Sequence, residues 1–167
     1  NSAFGNLAGL YSTGSNNTYM GINTGGSVVT STGSDNAFFG AFAGEYNTSG
    51  SSNAFFGRSA GNRSIASNNN FFGTQAGYLT TTGNNNVAMG YQAFVGNTIG
   101  GANTYIGNYA GYGGSGDGNT GLGYDALGGF TATSSNNTAL GNGAGGSQTS
   151  GDNNIFLGYN SVVASTT

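Results

Sequence analysis

The stretch NTYIGNYAG, residues 103–111, carries the pattern that decides the fold: Asn, a large apolar residue three places later, Gly, and then Ala-Gly. This pattern, N-x-x-Φ-G-x-x-A-G with Φ a large apolar residue, recurs ten times, and its first Gly returns every 16 to 19 residues. We call that Gly the anchor and number the other positions from it. The anchors are Gly5, Gly21, Gly40, Gly57, Gly73, Gly90, Gly107, Gly123, Gly141 and Gly158. The sequence therefore predicts a single repeat domain over residues 1–167.

Two further positions are filled in the same way in every copy. Position −4 is always Asn: Asn1, Asn17, Asn36, Asn53, Asn69, Asn86, Asn103, Asn119, Asn137 and Asn154. Position −1 is always large and apolar: Phe4, Met20, Phe39, Phe56, Phe72, Met89, Ile106, Leu122, Leu140 and Leu157. Position +3 is Ala in eight copies, with Thr24 and Ser161 as the exceptions. Such regularity indicates a repeated structural unit rather than disordered low-complexity sequence.

The period of about 17 residues is too short for a helical hairpin, and frequent Gly and Asn oppose helix formation. It suits one coil of an all-β parallel β-solenoid, also called a β-roll, with two short strands and two turns in each coil. Stacked coils are separated by the inter-strand spacing of about 4.8 Å, so ten would form a rod about 48 Å long.

The repeated positions predict distinct roles. Stacked Asn side chains can hydrogen-bond from coil to coil as a ladder. We expect the large apolar row at −1 to face the coil interior as the core. Neighbouring strand residues point to opposite faces, so position −2 should point outward. Its aromatic members, Tyr19, Phe38, Phe55, Phe71, Tyr105 and Phe156, are then predicted to form a subunit interface, because an exposed aromatic row is a large sticky surface.

Composition excludes several partners. The chain carries 35 Gly, 13% aromatic and 4% charged residues, and its net charge of −3 includes two cations, Arg58 and Arg63. Two cations cannot neutralise a row of phosphates, so we expect neither nucleic acid nor anionic lipid as a partner. No segment approaches the roughly 20 apolar residues of a membrane helix, so we expect no membrane insertion. No signal peptide is recognisable, and because the chain begins at Asn1 rather than Met, we expect a processed chain or a piece of a longer array.

Chemically reactive residues are scarce. His, Cys and Lys are absent, and five carboxylates are scattered along the chain. We therefore expect no enzyme, with no catalytic residues, no cofactor and no metal. The segment GGSGDG at 113–118 resembles a calcium-binding nonapeptide, but it occurs once and is interpreted as a Gly-rich turn. Four Asn residues begin N-x-S/T sequons and are candidate glycosylation sites: Asn16, Asn47, Asn62 and Asn136.

Repeats such as residues 103–111 resemble the head repeats of trimeric autotransporter adhesins, and they are similar to Asn/Gly-rich repeats of phage tail fibres. The resemblance spans the whole chain. It implies a left-handed parallel β-roll, three chains packed side by side, a location on the bacterial surface or in a virion fibre, and an adhesive or spacing role.

Three functions follow as hypotheses. The first is a structural subunit of an extracellular fibre or filament, whose copies associate through the aromatic face, through stacked coil ends, or both, as a trimer or a head-to-tail polymer. The second is an adhesin or tail-fibre head that binds a host or glycan ligand. The third is an ice-binding solenoid, which needs a regular Thr array. The Thr clusters at 80–82 and 131–133 do not recur in register.

Overall fold

The computed structural model describes residues 1–26, 29–129, 134–147 and 150–162, so the Thr cluster at 131–133 lies outside the described residues. Ten three-residue strands form one parallel sheet in chain order. They are β1 Ser2–Phe4, β2 Thr18–Met20, β3 Ala37–Phe39, β4 Ala54–Phe56, β5 Asn70–Phe72, β6 Val87–Met89, β7 Thr104–Ile106, β8 Thr120–Leu122, β9 Thr138–Leu140 and β10 Ile155–Leu157. The predicted all-β parallel β-solenoid is confirmed, and we number its coils 1 to 10 after the strand that each contains.

Each strand pairs in register with the strand of the next coil, so that equivalent positions lie opposite each other. In β3 and β4, for example, Phe38 lies opposite Phe55 and Phe39 opposite Phe56. The prediction of two strands per coil is wrong, because among the described residues each coil contains one three-residue strand followed by turns. Positions +2 and +4 adopt left-handed backbone, for example Gln75 with φ 60° and Gly77 with φ 60°. A strand cannot continue through such residues.

The turns are nevertheless hydrogen-bonded from coil to coil. The N–H of Gly61 donates to the carbonyl of Ala76 at 2.9 Å, and the N–H of Gln75 donates to the carbonyl of Arg58 at 2.9 Å. At the anchor, Gly57 has φ +139°, and a Cβ there would lie 2.6 Å from the carbonyl carbon of Gly73. The anchor is invariant because a side chain would fit neither this backbone nor this gap between coils.

The predicted Asn ladder is confirmed over its whole length. The N–H of each Asn in the row donates to the side-chain oxygen of the preceding one, from Asn17 onto Asn1 through to Asn154 onto Asn137. The Nδ2 group points elsewhere. In coil 5, Asn69 Nδ2 donates to the carbonyl of Gly83 at 2.9 Å, where the coil ends. One amide therefore joins its coil to the next coil and also ties the start of its own coil to the end.

The prediction of which row faces the interior is wrong, and the two rows exchange places. The residues predicted as the subunit interface are buried inside the solenoid, at 2% exposure or less: Tyr19, Phe38, Phe55, Phe71, Tyr105 and Phe156. The residues predicted as the core lie on the outer face, mostly more than one third exposed: Phe4, Met20, Phe39, Phe56, Phe72, Met89, Ile106, Leu122, Leu140 and Leu157.

The strand period explains the exchange. Side chains two positions apart share a face, so −2 points the same way as −4. The Asn at −4 must point inward, because its amide bonds to buried backbone of the turn. Position −2 therefore points inward with it, and −3 and −1 point outward.

The interior is a column of rings beside a row of small residues. Phe38 and Phe55 stack with ring centroids 4.6 Å apart, and Phe55 and Phe71 at 5.0 Å. The Ala residues at +3 line the opposite wall and are fully buried from Ala43 to Ala144. In coils 2 to 5 and in coil 7 the ring at −2 lies against the Gly at +4 of its own coil, whereas Phe156 of coil 10 lies beside Gly145 of coil 9. A Cβ on Gly77 would come within 2.6 Å of the Phe71 ring, so a ring at −2 in those five coils requires Gly at +4.

In coils 6 and 8 the large and the small residue exchange places, so the small one stands at −2 and the large one at +4. In coil 6, position −2 is Ala88 and position +4 is the fully buried Phe94, whose ring continues the column 5.1 Å from that of Tyr105. In coil 8, Gly121 stands at −2 and buried Leu127 at +4. One large side chain therefore fills the interior of each of these coils, whether it comes from the strand or from the turn.

This exchange predicts strong coupling between Ala88 and Phe94. Ala88→Phe alone should cost about 1–3 kcal/mol by overpacking, and Phe94→Gly alone about 3–5 kcal/mol by leaving a cavity. The double variant reproduces the arrangement of Phe71 over Gly77 and should be more stable than the sum of the single changes by at least about 1 kcal/mol. Urea unfolding of all four proteins measures the cycle, and additive free energies would contradict the exchange.

A second ladder, which the sequence analysis missed, follows position −6 on the outer turn. Ser34 N–H donates to Ser51 Oγ at 3.0 Å, and Gly101 N–H to the Asp117 carboxylate at 2.7 Å. This ladder could have been recognised in the sequence, because position −6 holds a small residue with a side-chain oxygen in eight of its nine copies. The row consists of Ser15, Ser34, Ser51, Ser67, Asn84, Gly101, Asp117, Ser135 and Asp152. Asp117 of the GGSGDG segment belongs to this ladder, in keeping with its interpretation as a turn.

Candidate interaction surfaces

The outer face of the sheet carries an apolar row along its whole length. This row, which we call the outer stripe, consists of the ten residues at −1, from Phe4 to Leu157. Its central rings stack on one another, with centroids 4.7 Å apart for Phe39 and Phe56 and 4.8 Å for Phe56 and Phe72. No strand carries a charged residue at −3 or −1. An uninterrupted apolar surface of this kind is typical of a contact site.

A second surface follows the stripe around the coil, at positions +1 and +2 of coils 6 to 8. Tyr91, Tyr109 and Tyr124 lie on successive coils, and the ring of Tyr109 stands edge-on to both neighbours at 5.4 and 5.7 Å. Tyr112 packs on the same ring at 5.9 Å. We call these four residues the tyrosine face. Desolvation raises the pKa of Tyr109, and nearby Tyr91, Tyr124 and Tyr112 raise it further.

Amide side chains surround the tyrosine face. Asn108 Oδ1 accepts the N–H of Tyr91 at 2.9 Å, which holds this exposed Asn between two tyrosines. Beside them, Gln92 Nε2 donates to Gln75 Oε1 at 2.6 Å. The +1 column alternates ring and amide along the rod, as Tyr91, Asn108, Tyr124, Asn142 and Tyr159. Rings and hydrogen-bonding groups are thus interleaved, unlike in the outer stripe.

A notch of about 280 Å³ lies directly beyond the tyrosine face and is lined by Asp125, Gly143, Gly146, Ser147 and Asn160. Position +2 of coil 9 is Gly143, and the side-chain amide of Asn160 in coil 10 lies over it, where a larger residue would place its Cβ. A Cβ on Gly146 would lie 3.2 Å from an Asp125 carboxylate oxygen, so a second small residue keeps that carboxylate accessible. Burial raises the pKa of Asp125.

The sequon residues divide into two pairs. Asn47 and Asn62 are buried, and their Nδ2 groups donate to the carbonyls of Ser64 and Phe42. The folded coil offers no space for a sugar on either, so the prediction is wrong for this pair. Asn16 and Asn136 are exposed at the outer turn, and glycosylation there stays a prediction.

Other candidate sites gain no support. Thr80 of the Thr80–Thr82 cluster is buried and cannot join a surface array. Among the described residues, no three of His, Cys, Asp and Glu cluster as metal ligands. Nor do these residues include a helix that could serve as a membrane span.

The fold and surfaces define the class of the protein, a repeat protein with a parallel β-solenoid and an exposed apolar stripe. Searches against family models, curated proteins and solved structures gave no match in any of the three. The resemblance to adhesin head repeats and tail-fibre repeats therefore stays a prediction.

Proposed function

We propose that this chain is a structural module of an extracellular fibre and that copies of it pack side by side along the outer stripe. The observation that supports the proposal is the length of that stripe. It follows all ten strands, so nine inter-strand steps of about 4.8 Å give it a length of about 43 Å. A small ligand would need only part of it, whereas a second rod with the same repeat matches it coil for coil.

The size of the stripe is also appropriate. A fully buried aromatic side chain covers about 150–250 Å², and most of the stripe residues are between one third and two thirds exposed. Covering all ten would remove roughly 800 Å² per copy from water, which is the share of one partner in a standard protein–protein interface. Without charges at −3 or −1, two stripes can meet with no buried ion to compensate.

The mechanical role follows from how each coil is closed. Coils are joined by sheet bonds, by bonds between turns and by the Asn ladder, and a second ladder follows the outer turn. Few backbone groups are then left for a protease to bind in extended form. Such a rod suits a spacer or fibre shaft, and lateral packing would thicken and stiffen it.

Ile106→Asp is expected to weaken self-association at least tenfold, because the interface would have to bury a carboxylate with no cation beside it. Ile99→Asp is the matched control. Ile99 is 59% exposed, lies in the outer turn away from the strands, and receives the same change of side chain. Analytical ultracentrifugation over a concentration series measures both variants, with circular dichroism to confirm that each is folded.

The sedimentation results decide whether copies of the chain pack on the outer stripe. Dimers or trimers of the natural chain that dissociate in Ile106→Asp, but not in Ile99→Asp, support packing between copies. A natural chain that stays monomeric at millimolar concentration, or two variants that dissociate equally, would contradict it.

A further inference from the structure

We propose that coils 6 to 10 carry a binding site for an uncharged oligosaccharide, with the tyrosine face as its platform and the notch at Asp125, Gly143 and Asn160 as a subsite for one sugar unit. The site lies beside the outer stripe but does not include it, so the proposal goes beyond the proposed structural function and does not depend on it.

The tyrosine face has the chemistry that a sugar requires. A pyranose ring presents C–H bonds on its faces and hydroxyl groups around its rim. Aromatic rings attract the faces through dispersion and weak C–H contacts, and amides bond the rim. Tyr91 and Tyr124 are 42% and 53% exposed, while Asn108 is held between them by the N–H of Tyr91. Ring and amide are therefore presented side by side on adjacent coils.

The spacing of the column favours an extended chain of sugars over a single unit. Tyr91, Tyr124 and Tyr159 stand on every second coil, so neighbouring rings repeat at about 9.6 Å along the rod. That distance is close to one disaccharide of an extended β-linked glycan. Asn108 and Asn142 stand on the coils between them. A glycan lying parallel to the rod axis would meet a ring at alternate sugars and an amide at the others.

The notch supplies polar contacts at one end of this column. Asp125 follows Tyr124 directly, and the N–H of Gly143 bonds to the carbonyl of Tyr124 at 2.8 Å, so platform and notch form one rigid surface. The Asp125 carboxylate can accept from two neighbouring hydroxyls, and the side chains of Asn160 and Ser147 can donate or accept. The notch of about 280 Å³ that these residues line gives a sugar unit access to their polar groups.

Charge restricts the ligand to uncharged sugars. Among the described residues that line the notch, Asp125 alone is charged, and both cations of the chain, Arg58 and Arg63, lie on coil 4. A uronic or sialic acid would place its carboxylate against Asp125 with no cation to compensate. Neutral hexose or N-acetylhexosamine units carry no such penalty.

Affinity electrophoresis and isothermal titration test the proposal with named probes, the hexaoses of the cello-, chito-, laminari- and malto- series. Polygalacturonate serves as the acidic control. We expect millimolar or tighter binding to at least one neutral hexaose and none to polygalacturonate. Tyr124→Ala should weaken that binding about tenfold or more, and Tyr124→Phe, which keeps the ring, much less.

Two further variants separate the notch from general effects. Gly143→Asn places at +2 the residue already found there as Asn23 and Asn160, so the left-handed backbone is kept. The new side chain has to displace the flexible end of Asn160 and narrows the notch. This variant should also lose binding. Tyr46→Ala removes a tyrosine that is 43% exposed on coil 3 and should bind as the natural chain does.

Three outcomes would overturn the proposal. They are no binding of any neutral hexaose at 10 mM, equal weakening by Tyr46→Ala and Tyr124→Ala, or a Tyr124→Ala chain that binds normally but dissociates into monomers. The last outcome would assign the tyrosine face to contacts between copies. Since sedimentation of Ile106→Asp tests the outer stripe separately, either proposal can fail alone.

Discussion

Replacing Phe55 with Ala is expected to lower the free energy of unfolding by about 3–5 kcal/mol, whereas Phe56→Ala should lower it by about 1–2 kcal/mol. The two Phe residues are adjacent in β4, but the first is fully buried in the interior and the second is partly buried on the outer face. Phe55 stacks between Phe38 and Phe71, and no backbone shift can close its cavity because the coils above and below are fixed by hydrogen bonds.

Urea unfolding followed by far-ultraviolet circular dichroism measures both changes. The proteins should be compared at several concentrations, since self-association through Phe56 would add an apparent stability that depends on concentration. Equal losses, or a larger loss for Phe56→Ala in the dilute limit, would contradict an interior position for Phe55 and an outer position for Phe56.

Asn69→Ala is the second change with a large expected effect, a loss of about 2–6 kcal/mol. It removes the acceptor of the Asn86 N–H and the donor to the Gly83 carbonyl. Both lie among buried residues, and a buried polar group left without a partner costs about 1–3 kcal/mol. The loss should also spread beyond one coil, because the same amide holds coil 5 closed and joins it to coil 6.

Asn70→Ala is the matched control, because Asn70 is the next residue, has the same side chain and points to solvent. We expect a change within about 0.5 kcal/mol. Hydrogen exchange provides the finer readout. In Asn69→Ala the amide of Asn86 should exchange much faster, while the amides of coils 1 to 3 keep their protection. An unchanged Asn86 amide would mean that the ladder contributes little to stability.

The repeat, the solenoid and the Asn ladder could be predicted because each depends on one position repeated along the chain. The inward face was assigned wrongly because both candidate rows are apolar, and hydrophobicity alone cannot choose between them. Strand parity could have decided the matter. A ladder Asn at −4 that bonds to the turn must point inward, and −2 then shares its direction.

Other structural features depend on how two or more positions relate to each other, and these were harder to predict from the sequence. The exchange between −2 and +4 was visible, since Phe94 and Leu127 occur in coils with Ala88 and Gly121 at −2. The left-handed backbone at +2 was not, because residues as different as Leu7, Phe42 and Gln92 adopt it. The tyrosine face and the notch require knowing which columns face solvent, and the row pattern alone does not show this.

The packing of an interior ring on a glycine of the same coil also has a consequence for how the number of coils in the rod can change in evolution. In coils 2 to 5 and in coil 7 the interior ring lies against the glycine at +4 of the same coil, as Phe38 does on Gly44 and Phe71 on Gly77. A duplicated or deleted coil of this kind would therefore bring or remove its own interior ring and leave its neighbours well packed. Such a rod can be lengthened or shortened by recombination in steps of about 4.8 Å, with no compensating mutation elsewhere.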